Sequence, residues 1–153
     1  VLALPPGLAD VPSLPGPADA VPLAPAWVGD VAYHSHATEH RSVRGSWSAP
    51  GPIVDWIRLR YPVVVGETPS PLERVAAAAD FGNGVSWVLP FAEWLFINPD
   101  LTIYLHRLPV GEWVCLDATT LAGPDGVGMA ESALHDERGR IGRSVQSLLL
   151  ERR

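Results

Sequence analysis

Residues 70–84 read Ser70-Pro71-Leu72-Glu73-Arg74-Val75-Ala76-Ala77-Ala78-Ala79-Asp80-Phe81-Gly82-Asn83-Gly84, and the fold turns on them. Ser70 is placed to cap a helix, Pro71 suits the first helical position, and Glu73 three residues after the serine completes a capping box. Leu72, Val75, Ala76 and Ala79 then recur at helical spacing, forming an apolar stripe whose alanines let the backbone lie close on a sheet. The stretch predicts a helix ending near Asp80. An acid there sits at the negative end of the helix dipole, which disfavours it. Two explanations stand side by side. Asp80 with Gly82-Asn83-Gly84 is a helix-terminating turn. Alternatively its carboxylate, on the flank of the apolar stripe, is kept at the helix–sheet boundary for a ligand, with the glycines drawing the chain sharply away and exposing backbone N–H groups.

Outward from this helix the pattern changes to strands. Upstream, β-branched and aromatic residues dominate at 38–44 and 53–65, divided by Ser48-Ala49-Pro50-Gly51-Pro52. Downstream, Leu101, Ile103 and Leu105 alternate with polar neighbours, and further strands are expected at 112–122, 127–135 and 140–151. Pro109-Val110-Gly111, Gly123-Pro124-Asp125-Gly126 and Asp136-Glu137-Arg138-Gly139 supply the turns, which makes the last strands an antiparallel meander. Two strands, one helix and four strands imply an α+β domain, with one long helix packed on a curved antiparallel sheet. Before it, seven prolines between Pro5 and Pro25 predict an extended linker or strap, because each removes a backbone donor and fixes φ. The expected division is a Pro-rich segment over 1–33 and a domain over 34–153. A connector at the beginning of a chain implies something for it to connect, and the chain starts on Val1 instead of Met, so a preceding domain is expected.

Composition narrows the function. The 153 residues suit one domain, and 47% hydrophobic against 18% charged residues excludes a disordered chain. A net charge of −6, with every one of the 11 basic residues an arginine, argues against a nucleic-acid partner. No apolar run approaches the roughly 20 residues of a membrane span, and no secretory signal is visible after Val1. The single Cys115 cannot form an internal disulfide and reads as a buried thiol of a reducing compartment, so a cytoplasmic location is expected.

Few residues remain to carry chemistry. Gln146 shares strand parity with Leu148 and Leu150, so its amide is expected on an apolar face and needs partners there. Asn98 precedes Pro99 at the start of a strand, where a turn role alone would explain it. His34, His36 and His40 share parity, but no nearby cysteine or carboxylate completes a metal shell, so surface histidines are expected. Ser86 lacks a Gly-x-Ser-x-Gly elbow, Cys115 has no neighbouring base, and no phosphate-binding glycine loop precedes a helix. A carboxylate, an asparagine and a glutamine survive, in apolar surroundings.

The run from Ser70 to Arg74, Ala79 through Gly84, Asn98-Pro99-Asp100-Leu101-Thr102 with Leu105-His106-Arg107, and Asp136 through Arg140 followed by Ser144-Val145-Gln146 resemble the acyl-CoA thioesterase II group of hot-dog proteins. The resemblance covers about Thr38 to Arg152. It implies an antiparallel sheet wrapped around one long helix, as one half of a double hot-dog. The implied activity is hydrolysis of acyl-CoA to free fatty acid and coenzyme A, with no metal, cofactor or covalent intermediate. The family's water-activating trio falls on Asp80, Asn98 and Gln146, and backbone N–H groups near a helix end would stabilise the oxyanion. The implied partners are an N-terminal hot-dog repeat, in the same protein or a separate chain, and an oligomer, because an exposed sheet edge and half a pocket need a partner. Asn98 departs from the threonine of the best-known members: it can hydrogen-bond a water but cannot deliver a hydroxyl proton. Trp87, Trp94 and Trp113 are candidates for an acyl tunnel, with plain core the alternative. Two other functions are weighed: a non-catalytic hot-dog module that binds acyl groups or serves as an oligomerisation half, and a hot-dog hydratase. The hydratase needs a histidine five residues after its Asp, where this chain has Val85.

Overall fold

The computed structural model describes residues 14–23 and 31–153. Eight strands form one antiparallel sheet: β1 (Val21–Leu23), β2 (Thr38–Arg44), β3 (Ile53–Leu59), β4 (Trp94–Ile97), β5 (Thr102–Leu105), β6 (Trp113–Ala122), β7 (Val127–Asp136) and β8 (Gly139–Arg152). Their order across the sheet is β1-β2-β3-β6-β7-β8-β4, and β5 also pairs with β8. The expected meander is present as β6-β7-β8, whose hairpins turn at Gly126 and Gly139 with φ of 77° and 111°, angles that favour glycine. β3 stops at Leu59 instead of continuing to residue 65, and Val65 is 96% exposed in the loop beyond.

The expected helix exists but is short. α1 covers Pro71–Ala79, with Ser70 Oγ accepting from the Glu73 N–H at 3.2 Å and the Glu73 carboxylate accepting from the Ser70 N–H at 2.6 Å. Asp80 and Phe81 keep right-handed helical angles, and a further turn, α2 (Gly82–Val85), follows. Gly82-Asn83-Gly84 therefore does not throw the chain sharply away. Neither glycine has a positive φ, and Gly82 has another use: a Cβ there would lie 2.9 Å from Gln146 Oε1 and 3.2 Å from Ser132 Oγ. Its missing side chain lets the helical segment rest on β8.

Val75, Ala78, Ala79 and Val85 pack against Ile53 and Ile57 of β3, Val114 and Leu116 of β6, Leu134 and Ile141. Full burial of one such valine contributes roughly 1.5 kcal/mol. β3 is buried on both faces, because Val54 and Trp56 point the other way into a second cluster with Trp113, Cys115 and Ala20. Residues 14–23 of the Pro-rich segment lie over that second face, where Trp56 Nε1 donates to Pro15 O at 2.9 Å, and Val21–Leu23 adds edge strand β1. Residues 1–13 and 24–30 of that segment lie outside the described residues.

β8 holds two short strands in tandem on one edge: Gly142–Val145 pair with β5 and Leu149–Arg152 with β4. Between them the Ser147 N–H has a side-chain acceptor, Asp100 Oδ1 at 2.8 Å, while Ser147 Oγ donates to Asp100 Oδ2 at 2.5 Å.

Candidate active site

The interruption between β4 and β5 carries Asn98, and it faces the end of α1. Asn98 Nδ2 donates to Asp80 Oδ1 at 3.2 Å. From below, Gln146 on β8, only 2% exposed, donates from Nε2 to the backbone carbonyl of Asp80 at 3.3 Å and accepts at Oε1 from the Asn83 N–H at 3.1 Å. The three residues singled out from the sequence thus meet, with unequal roles in the geometry. Asn98 touches the carboxylate, whereas Gln146 grips the backbone on both sides of it. Gln146 is on the inner face with Leu148 and Leu150, as its parity predicts, and its partners are the backbone of the helical segment. Beneath α2, Ser86 Oγ donates to Gly82 O at 2.8 Å and lies 2.7 Å from Thr120 Oγ1, so Ser86 is a buried clasp on the turn and not a nucleophile. The Asn83 N–H is committed to Gln146 and is not free to stabilise an oxyanion.

The Asp80 side chain is exposed and lies on the rim of an apolar cavity of about 260 Å³, lined also by His34, Trp47, Phe81, Val85, Trp87 and Phe91. Among the described residues it accepts one hydrogen bond, from Asn98, and forms no ion pair. Burial, and then the negative charge of Asp80, push the Tyr33 phenol above its ordinary value, so the half-exposed ring is neutral beside the acid. Tyr33 stacks on Phe81, a residue of the cavity lining, with centroids 5.9 Å apart.

Of the tryptophans named as tunnel candidates, Trp87 alone lines the cavity, its indole N–H held by Trp47 O at 2.9 Å. Trp113 is core on the other face, under the guanidinium groups of Arg41 and Arg58, and Trp94 carries Arg152 over its ring. Trp47, Phe81 and Phe91 escaped the sequence reading, since no periodicity marks aromatic residues in loops. The histidines divide three ways. His34 lines the cavity, His36 is exposed beside Ser35, and His40 is buried against Asp55 at 2.7 Å, which corrects the expectation of a surface residue. No group of metal-ligating side chains occurs among the described residues. Nor is any helix there long and apolar enough to cross a membrane. The Cys115 thiol is fully buried, and burial first, then the charges of Asp55 and Asp117, push it far above its ordinary value, leaving it inert as a nucleophile.

Solved structures of similar fold include an acyl-CoA thioesterase II from Mycobacterium marinum (15% identity, 94% of this chain and 56% of that one, TM-score 0.62). A protein from Thermobifida fusca assigned as a thioesterase II aligns at 18% identity over 96% of this chain and 57% of that one, with a TM-score of 0.69. A thioesterase from Haemophilus influenzae aligns at 11% identity over 74% of this chain and 78% of that one, with a TM-score of 0.54. The chain spans little more than half the length of the first two. No curated protein sequence matches it. The sequence pattern of one family does, from residue 6 to residue 150, and the chain therefore belongs to the acyl-CoA thioesterase C-terminal domain family.

Proposed function

We propose that the chain is the second half of a double hot-dog acyl-CoA thioesterase, acting with a first repeat, and that Asp80 is its general base. The observation that carries this is the position of the Asp80 carboxylate, exposed and oriented by Asn98 on the rim of an apolar cavity. A water bonded to Asp80 gives up a proton as its oxygen forms a bond to the thioester carbonyl carbon. Collapse of the tetrahedral intermediate breaks the C–S bond, and the coenzyme A thiolate leaves and takes up a proton. Asn98 fixes the carboxylate through its amide and is close enough to bond the same water. Gln146 acts at one remove, by holding the Asp80 carbonyl and the Asn83 N–H so that the helix end cannot drift.

Asp80→Asn, assayed in the complete natural protein by release of free thiol from acyl-CoA, should lower kcat by about 10²–10⁴-fold. A rate equal to wild type ends the proposal. Asn98, an amide without a transferable proton where best-known members have a threonine, favours one other reading: an acyl-binding module without turnover. Acyl-CoA binding with no thiol released by the wild-type protein would select it.

A further inference from the structure

Behind the cavity wall lies a buried polar chain that the proposed reaction does not use. His40 on β2 and Asp55 on β3 project from the sheet face that carries the helix. His40 Nδ1 is 2.7 Å from Asp55 Oδ2, and the two side chains are 2% and 0% exposed. His40 Nε2 is 2.9 Å from Thr38 Oγ1, whose proton goes to His34 O at 3.0 Å. With that proton spent, Thr38 Oγ1 accepts from His40 Nε2. The other oxygen, Asp55 Oδ1, is buried with no partner among the described residues. Leaving part of a carboxylate unsatisfied is costly, so the cluster invites a functional explanation.

Hydroxyl, imidazole and carboxylate stand in the order of a nucleophilic triad. Thr38, however, is 2% exposed and gives its proton to the backbone, so no acyl group reaches it. What the cluster touches instead is the wall of the cavity. The His40 ring meets Trp47 edge-on at 4.4 Å between centroids and Phe81 at 4.9 Å. The carbonyl that receives the Thr38 proton belongs to a π-helical turn, Tyr33–Ala37, from which His34 lines the cavity and Tyr33 stacks on Phe81. Phe81 is held from two sides, and it is the residue after Asp80.

We infer that His40, clamped between Thr38 and Asp55, is a positioning residue that fixes Phe81 and through it the bearing of Asp80 over the cavity. The inference rests on Asp80 being the base. It predicts an effect on turnover that passes through Asp80, and not on binding.

Thr38→Val, Thr38→Ser and Asp55→Asn, made in the complete natural protein, test it through kcat, KM and thermal melting with an acyl-CoA substrate. Losing the hydroxyl's bonds to the His40 ring and to His34 O should lower kcat about tenfold in Thr38→Val, with KM within about twofold, and Thr38→Ser should restore the rate. In an Asp80→Asn background Thr38→Val should cause no further loss, since the group it orients is gone. Wild-type kcat in folded Thr38→Val or Asp55→Asn overturns the inference, and so does an equal loss in the Asp80→Asn background. Unfolding of all three variants overturns it too, because the cluster would then be structural. If Asp80→Asn itself turns over at the wild-type rate, the proposed function falls first, and that outcome is separate from any result at Thr38.

Discussion

Asp80 and Asp136 belong to the same set of sequence signals, yet the fold treats them in opposite ways. Asp136, at the end of β7, is buried, and each of its oxygens accepts two hydrogen bonds. Arg107 reaches both, at 2.5 and 2.7 Å, and the N–H groups of Val110 and Arg138 supply the others at 2.8 Å. Nothing is left to offer a ligand. Among the described residues Asp80 has one neutral donor and no ion pair, and it borders the cavity. A saturated carboxylate ties strands and loops together, whereas an unsaturated one at a cavity can take a water. Residue type and spacing mark both, and burial together with the count of partners separates them.

The sharpest way to break this comparison is to remove each carboxylate and read both rate and stability. Asp80→Ala should reduce turnover by about 10²–10⁴-fold while stability in urea stays within about 0.5 kcal/mol, as for an exposed residue. Asp136→Ala should do the reverse, costing about 3 kcal/mol in urea unfolding by leaving the Arg107 guanidinium and two N–H groups without their acceptor. If Asp80→Ala proves the more destabilising, the assignment of roles is inverted. Acid sharpens the point. Burial alone would raise the Asp136 carboxyl, but the bonds from Arg107, Val110 and Arg138 outweigh it and hold it below its ordinary value. Its stabilisation is therefore complete above about pH 4, the ordinary carboxylate value, and is lost as pH falls through the lower folded value. An Asp136→Asn variant should lack that part of the acid slope in pH-dependent unfolding.

Gly82→Ala acts between the two extremes. The new Cβ would press on Gln146 Oε1 and Ser132 Oγ, so overpacking should cost about 1–2 kcal/mol and slow turnover by displacing Gln146 from the Asp80 backbone. Melting and kcat measured on one sample would show whether the two losses travel together. Smallest is Ser70→Ala, which removes half of the capping box at the far end of α1. It should cost about 1 kcal/mol and leave kcat unchanged.

Much of this was legible because local chemistry and fold agree. The capping box at Ser70 and Glu73, the glycine turns of the β6-β7-β8 meander, and the parity that turns Gln146 inward each follow from a few neighbouring residues. Three features were hidden for physical reasons. β4 is the unbroken apolar run Trp94–Ile97, with no alternation to announce it. β1 contains Pro22, tolerated because the strand is at the sheet edge. The pairing of β5 with β8 in place of its sequence neighbour β6 depends on register between distant strands, and that of His40 with Asp55 on the register of β2 against β3. The long helix expected from the stripe is instead nine residues and a further turn, because the glycines after Phe81 weaken the helix without ending its direction.

The gap between β4 and β5 has a kinetic meaning. Because Asp100 clasps Ser147 across it, the segment carrying Asn98 is fastened to β8 by an exposed side chain and not by a ladder of backbone bonds. Such a fastening can release without the sheet coming apart. The Ser147 amide should then exchange its hydrogen faster than its neighbours within β8, at a rate reporting how often Asn98 lets go of Asp80. One amide would serve as a clock for the assembly and disassembly of the site, running independently of the unfolding of the domain.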